Sequence, residues 1–326
     1  MNRRVAIIVV LALMAISIPT SLFALPTGYS VTRIDVAGGV QYARALNEEG
    51  QVVGDTSSRQ AFLWDTGNAQ VMSATSHGYG LNDLGQVVGS YNGHPAMWQD
   101  GVITDLSNYR RYGEAFDINN SGQITFRDGL HPYMLSGDQV IDLDPAGLLS
   151  QYYGVYINNR GEVAMYGYDV GTAHAVFWRN GVRTDLYALG CYTVFGINDA
   201  GQVIGDLTSG QGYIWQDGTL RSLGDRTRAY GINQFGTVVG KYGVSGRACI
   251  WENGIQTDLN TLISPSIGIT LLEADEINSR GQIIADDYVN YYLLTPVPEP
   301  LGILPLLSGC VGFVLLASRK RRRRVW

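Results

Sequence analysis

One ten-residue motif recurs seven times along the 326-residue chain, and its period constrains the fold more than any other feature. The copies read ALNEEGQVVG from Ala45, GLNDLGQVVG from Gly80, DINNSGQITF from Asp117, YINNRGEVAM from Tyr156, GINDAGQVIG from Gly196, GINQFGTVVG from Gly231 and EINSRGQIIA from Glu276. In each, an aliphatic residue precedes an Asn (Asn47, Asn82, Asn119, Asn158, Asn198, Asn233, Asn278), and a Gly follows that Asn by three positions. Successive Asn residues are 35 to 45 positions apart. A repeat of that length is one supersecondary unit that cannot bury its own apolar face, so neighbouring units must stack.

Within each unit the residues read as four short strands. Asn opens a tight turn by bonding backbone ahead of it, and Gly closes it by accepting positive φ. A second strand of small and β-branched residues follows. A third ends at Trp64, Trp98, Leu135, Trp178, Trp215 or Trp251. A QDG, RNG or ENG turn then leads in several repeats to a fourth strand, most often ending in Asp-Leu; such turns between apolar runs signal hairpins. Four antiparallel strands in about 40 residues make one blade of a β-propeller. The predicted fold is therefore all-β, a seven-bladed β-propeller over residues 25–295. Residues 29–35, YSVTRID, carry the fourth-strand pattern with no strands before them, and the seventh repeat stops after its third strand at Leu294. The N-terminal strand is predicted to complete that blade, closing the ring and removing an unpaired sheet edge. Composition agrees, with 41 Gly and only 16% charged residues, as turn-rich β structure requires.

Both ends of the chain fall outside the repeat. In residues 1–24, Arg3 and Arg4 precede an apolar run to Ile18 and a small-residue exit at Ala24, the pattern of a secretory signal peptide. Residues 296–326 contain Val297-Pro298-Glu299-Pro300, an apolar run over 301–317, and the block Arg319, Lys320, Arg321, Arg322, Arg323, Arg324. The run is at the short end of a bilayer span, and the cations would hold the C-terminus in the cytoplasm. These three parts resemble the PEP-CTERM sorting signal of Gram-negative bacteria. The resemblance implies processing by signal peptidase and by an exosortase-type membrane protease near residues 298–300. It also implies a membrane-anchored precursor and delivery to the cell surface or an exopolysaccharide-rich matrix. The repeats are similar to the bacterial extracellular HAF repeat, with its H-A element kept at His174-Ala175 and altered at His94-Pro95 and His131-Pro132. That family brings no defined activity.

The formal net charge of −6 becomes −14 without Arg3, Arg4 and the six tail cations, or −13 if Glu299 leaves too. So acidic an exported domain argues against nucleic acid or anionic lipid as a partner and is compatible with divalent cations or neutral polysaccharide; the expected partner is a polysaccharide or a surface protein. Repeat-equivalent positions hold Gln60, His94, His131, His174, Gln211 and Arg247, and the Asp-Leu elements, with their N-terminal equivalent, hold Asp35, Asp105, Asp142, Asp185 and Asp258. Recurrence in so many blades points to structural roles rather than to a zinc site or a glycosidase pair, which needs carboxylates about 5 to 9 Å apart. No catalytic residue, metal site or cofactor is assigned. The strand-three tryptophans are expected in the core. Tyr109, Tyr112, Tyr152, Tyr153 and Tyr192 fall in less regular connections and are the candidate binding rim. Cys191 and Cys249 are either a disulfide or two buried thiols. The expected function is a non-enzymatic binding propeller, with a hydrolase or lyase acting on extracellular glycan as the alternative. An acidic pair breaking the repeat symmetry of the channel would favour the enzyme, and a uniform channel with an aromatic rim would favour binding.

Overall fold

The computed structural model describes residues 28–72, 76–109, 113–129, 131–169 and 171–298. The expected signal peptide, the apolar C-terminal run, Glu299, Pro300 and the cationic block lie outside the described residues. Regular structure consists of 28 β-strands and three 3₁₀ turns, and no helix among the described residues is long and apolar enough to cross a membrane.

The strands form seven four-stranded antiparallel sheets. Six are simple meanders, of which the first runs Val40–Leu46, Val52–Thr56, Ala61–Asp65, Asn68–Val71 from the axis outward. The seventh contains Glu273–Ile277, Ile283–Asp286 and Tyr291–Pro296, and its outer place is taken by Tyr29–Arg33. Val31 lies opposite Leu294 and Arg33 opposite Tyr292. The seven-bladed propeller and its closure by the N-terminal strand are thus as the repeats predict. The last strand reaches Pro296, and the Val297 N–H donates to the Gly28 carbonyl at 2.9 Å, so ordered pairing runs just past the boundary expected at 295.

Packing follows from which strands are apolar on both faces. The second strand Val52–Thr56 is buried throughout, whereas the outer strand Val182–Asp185 is mostly exposed. Blades therefore meet chiefly where the second strand of one packs against the first strand of the next. The five strand-three tryptophans are at most 7% exposed, and each belongs to a core shared with the preceding blade. Trp64 packs with Ile284 and Leu293, and Trp215 lies 5.1 Å from the Phe177 ring. Cys191 and Cys249 are buried free thiols in separate clusters.

The repeat motif is explained by hydrogen bonds that converge on its Asn. In the first blade, Asn47 Oδ1 accepts the N–H groups of Glu49 (3.1 Å) and Gln51 (2.9 Å), Gly50 N–H returns to the Asn47 carbonyl, and Asn47 Nδ2 donates to Gln51 Oε1. Gly50 sits at φ 84°, open to glycine without strain. The second proton of Nδ2 leaves the blade and donates to the Asn82 carbonyl at 3.1 Å. Asn82 does the same to Asn119, Asn119 to Asn158, Asn158 to Asn198, Asn198 to Asn233, and Asn233 to Asn278. Asn278 then donates to the Asn47 carbonyl at 3.0 Å, closing a circle around the channel. A parallel arc of six bonds lies one residue on, running from Ser279 round to Gln234. The Glu48 N–H donates to Asp83, Asp83 to Asn120, Asn120 to Asn159, Asn159 to Asp199, Asp199 to Gln234, and Ser279 to Glu48.

All seven asparagines are at most 6% exposed, where an unmade hydrogen bond costs about 1–3 kcal/mol. Replacing Asn119 by Ala is expected to lower unfolding stability by roughly 2–4 kcal/mol, while Val244→Ala at an exposed turn changes it by less than about 0.5 kcal/mol. Chemical denaturation of both variants checks this, and equal effects would contradict the role given to the circle.

Candidate functional site

The asparagine circle narrows one end of the channel, around a cavity of about 390 Å³. The opposite mouth is wider, with a cavity of about 840 Å³, and local backbone geometry explains what lines it. The inner strand of six blades carries a β-bulge. A bulge re-aims its extra residue, and bulges cluster near functional sites. The first blade has two such bulges, and the extra residues Gln41, Arg44, Tyr79, Phe116, Tyr153, Tyr230 and Asp275 all line the wide mouth. In the fifth blade, Phe195 joins them.

In the first, second and sixth blades the glycine that ends the motif is the steric counterpart of the bulge, whereas Phe126 and Ala285 stand there in the third and seventh. A Cβ on Gly54 would stand 1.9 Å from the Tyr42 carbonyl oxygen, and one on Gly89 would stand 1.8 Å from that of His77. In the fourth blade the bulge falls at Tyr153, two residues earlier in the strand, and the crowded glycine moves to Gly167, whose added Cβ would lie 2.6 Å from the Gln151 oxygen. That shift lets Tyr156 also line the wide mouth.

Charges around the mouth are sorted into pairs. Arg44 bonds Asp55 at 2.9 Å while lying over the Tyr42 and Tyr79 rings at 4.5 and 5.0 Å. Arg127 bonds Glu114 at 3.1 Å, and Tyr79 donates to the same carboxylate at 3.0 Å. Lys241 is ion-paired with Glu273, which also accepts from the Tyr288 hydroxyl at 2.9 Å. The carboxylate oxygens of Glu273, Asp275 and Asp286 lie within 4.8 Å of one another. Burial, then the charges of Asp286 and Glu273, push the Asp275 carboxyl well above its ordinary range. Asp286 is raised by burial although it accepts the Tyr288 N–H at 2.7 Å.

Two more acids sit deeper, where other blades have Gly or Ala. Asp117 accepts the N–H groups of Ile118 and Ile157 at 2.8 and 2.9 Å, yet burial pushes its carboxyl up to about 7. Burial, then the charge of Asp117, push Glu276 up to about 8. The channel is therefore not uniform. Both departures are visible in the sequence, in the column before the aliphatic residue: Ala45, Gly80, Gly196 and Gly231 against Asp117, Tyr156 and Glu276. The bulge residues also left a signal in the column three before the Asn, which reads Arg44, Tyr79, Phe116, Phe195, Tyr230 and Asp275 in six repeats.

Of the candidate rim, only Tyr153 is at the mouth, 43% exposed and stacked on Tyr166 at 6.0 Å. Tyr152 is fully buried and donates to Asp144 at 2.8 Å, so its place is in the core, not on a binding surface. Tyr109 packs between blades and donates to Asp138, and Tyr192 pairs by its N–H with the Asp206 carbonyl. Neither lines the mouth. Tyr112 lies outside the described residues. The repeat-equivalent histidines do not converge. His131 contacts Asp142 at 2.7 Å and His174 contacts Asp185 at 3.4 Å, each in its own blade, as Arg247 contacts Asp258 at 2.6 Å. Asp105, Asp142, Asp185 and Asp258 also accept the N–H two residues on, the turn role expected of them. Asp35 pairs with Arg33 at 2.9 Å.

The sequence matches no protein-family model and no curated protein. Solved propellers resemble it in shape. Virginiamycin B lyase from Staphylococcus aureus superposes with a TM-score of 0.57 at 11% identity, covering 82% of this chain and 100% of that one. The β-propeller domain of Cps50 (Swd1) from Myceliophteria thermophila gives 0.54 at 11% identity, with 82% and 100% covered. YCF48 from Cyanidioschyzon merolae gives 0.54 at 12% identity, with 83% and 99% covered. At such identity the likeness concerns the fold alone.

The deep acids make stability depend on pH. A folded-state pKa above the unfolded one means the native state binds more protons, so stability falls as pH rises from about 4 through the native values of about 7 and 8. Glu276 keeps some access to channel water, so its share is on the order of 2 kcal/mol. Glu276→Gln is expected to gain stability at pH 9 and little at pH 4.5, flattening the profile. Parallel profiles for variant and parent would contradict the assignment.

Proposed function

We propose that the protein is an exported, non-enzymatic binding propeller whose wide channel mouth holds a saccharide of the extracellular matrix. The observation that carries this reading is the mouth itself, about 840 Å³ and walled by residues that the bulges aim inward, most of them aromatic. Aromatic faces offer broad apolar area at low entropic cost, and polar groups between them fix orientation. Export rests on the two chain ends and their resemblance to a sorting signal. Cleavage near 298–300 would fall just beyond the last strand, which ends at Pro296, and would leave the sheet intact.

The alternative, a hydrolase or lyase acting on glycan, is favoured by one specific observation, the close carboxyls of Asp275 and Asp286, where burial and the neighbouring charges push Asp275 well above its ordinary range. Against it, both oxygens of Asp117 are engaged by backbone N–H groups, and Glu273 is engaged by Lys241 and Tyr288. That leaves few groups free to move protons.

Protein recovered from its exporting host is expected to have an intact mass ending between Thr295 and Pro300. The same preparation is expected to bind matrix polysaccharide in affinity electrophoresis, and Tyr153→Ala to weaken that binding roughly three- to tenfold. New reducing ends or unsaturated products would move the assignment to the enzyme. A retained Arg tail with no polysaccharide binding would overturn the proposal.

A further inference from the structure

The balance of charge around the wide mouth is uneven in a way that selects among saccharides. Two basic side chains line it and each already has a carboxylate, Arg44 with Asp55 and Arg127 with Glu114, while Lys241, outside the lining, pairs with the lining Glu273. Asp275, Asp286 and Glu276 also line the cavity, and among the described residues none of them has a basic partner. Asp275 Oδ2 is a buried atom that accepts no hydrogen bond. Tyr42, Tyr230, Tyr288 and Tyr291 line the same cavity.

A buried acceptor without a donor favours a ligand that brings a donor and positive charge together, because charge-assisted bonds are the stronger kind. Tyrosine faces attract a cation as well as a sugar ring. A bare metal ion would use the carboxylates and none of the aromatic wall. An anionic sugar would meet like charge and be rejected. Resting on the saccharide-binding reading above, we propose that the mouth takes a saccharide bearing a free ammonium group, a deacetylated amino sugar, with its ammonium seated against Asp275 and Asp286. The hydroxyls of Tyr42 and Tyr291 and the sugar-facing rings of Tyr153 and Tyr230 then serve the neutral part of the ligand.

Isothermal titration with three tetramers of the same β-1,4 linkage tests this, one each of glucosamine, N-acetylglucosamine and glucose. The glucosamine tetramer is expected to bind at least about tenfold more tightly than either neutral tetramer. Asp275→Asn and Asp286→Asn, each checked for native circular dichroism, are expected to bind it no better than the neutral tetramers. Asp35→Asn, which removes an acid on the N-terminal outer segment away from the mouth, is expected to keep the full preference, separating a local site from attraction by the acidic domain as a whole. Equal binding of all three tetramers by the parent would overturn the inference and leave saccharide binding standing. A preference that survives in both mouth variants would overturn it too. Binding of none of the three would remove the inference together with the saccharide reading for this linkage.

Discussion

Everything in this molecule hangs on one amide group used seven times. Each repeat Asn spends its oxygen on the turn it sits in and one of its two amide protons on the next blade's carbonyl. The first use makes a hairpin, and the second makes a ring. Because the bond from Asn278 to the Asn47 carbonyl spans 231 residues, the local turn and the global closure are satisfied by the same side chain. Aspartate would keep the turn and lose the donor to the next blade, and Ser or Thr is too short to do both. That dual duty explains why the Asn is present in all seven copies while the residue after it varies among Glu, Asp, Asn, Gln and Ser.

Closure is made twice, by chemistry of different kinds. The asparagine circle joins blades near the axis, and Tyr29–Arg33 pairing with Tyr291–Pro296 joins first to last at the periphery. Between them lie the interblade cores, in which each strand-three Trp meets the preceding blade. Rigid closure at one end of the channel leaves the other end free to vary. The bulges of six blades exploit that freedom, re-aiming inner-strand residues, and in four of those blades an opposite glycine absorbs the crowding. Arginine, aromatics and aspartate can then occupy equivalent places without disturbing the ring, which turns a symmetric scaffold into an asymmetric cup.

How much of this could be read from the chain divides along the same line. Blade number, strand count, the swapped N-terminal strand and the buried tryptophans all follow from periodicity, because they are properties each repeat expresses separately. The wide mouth was not legible in the same way. Tyr109, Tyr152 and Tyr192 stood out as irregular, but irregularity in a connection says nothing about which way a side chain points. Tyr152 and Tyr153 are adjacent, and the bulge between Tyr152 and Gly154 sends one into the core and the other to the mouth. A bulge is a shift in pairing between two strands, so its position depends on the partner strand as well as on the residues themselves. The acids Asp117, Asp275 and Glu276 were written in the repeat columns, yet their proximity is set by the ring's radius, a quantity no single repeat contains.

The claim that a closed ring behaves as one unit is tested most directly by native-state hydrogen exchange, resolved by residue. The account expects the amides of Thr32 and Leu293, a bonded pair across the closing strands, to be protected to the same free energy as those of Val163 and Val176 in the fourth blade, all exchanging only through global unfolding. Markedly earlier exchange of Thr32 and of the seventh blade, with the other six still protected, would contradict it and describe instead an open stack whose ends fray.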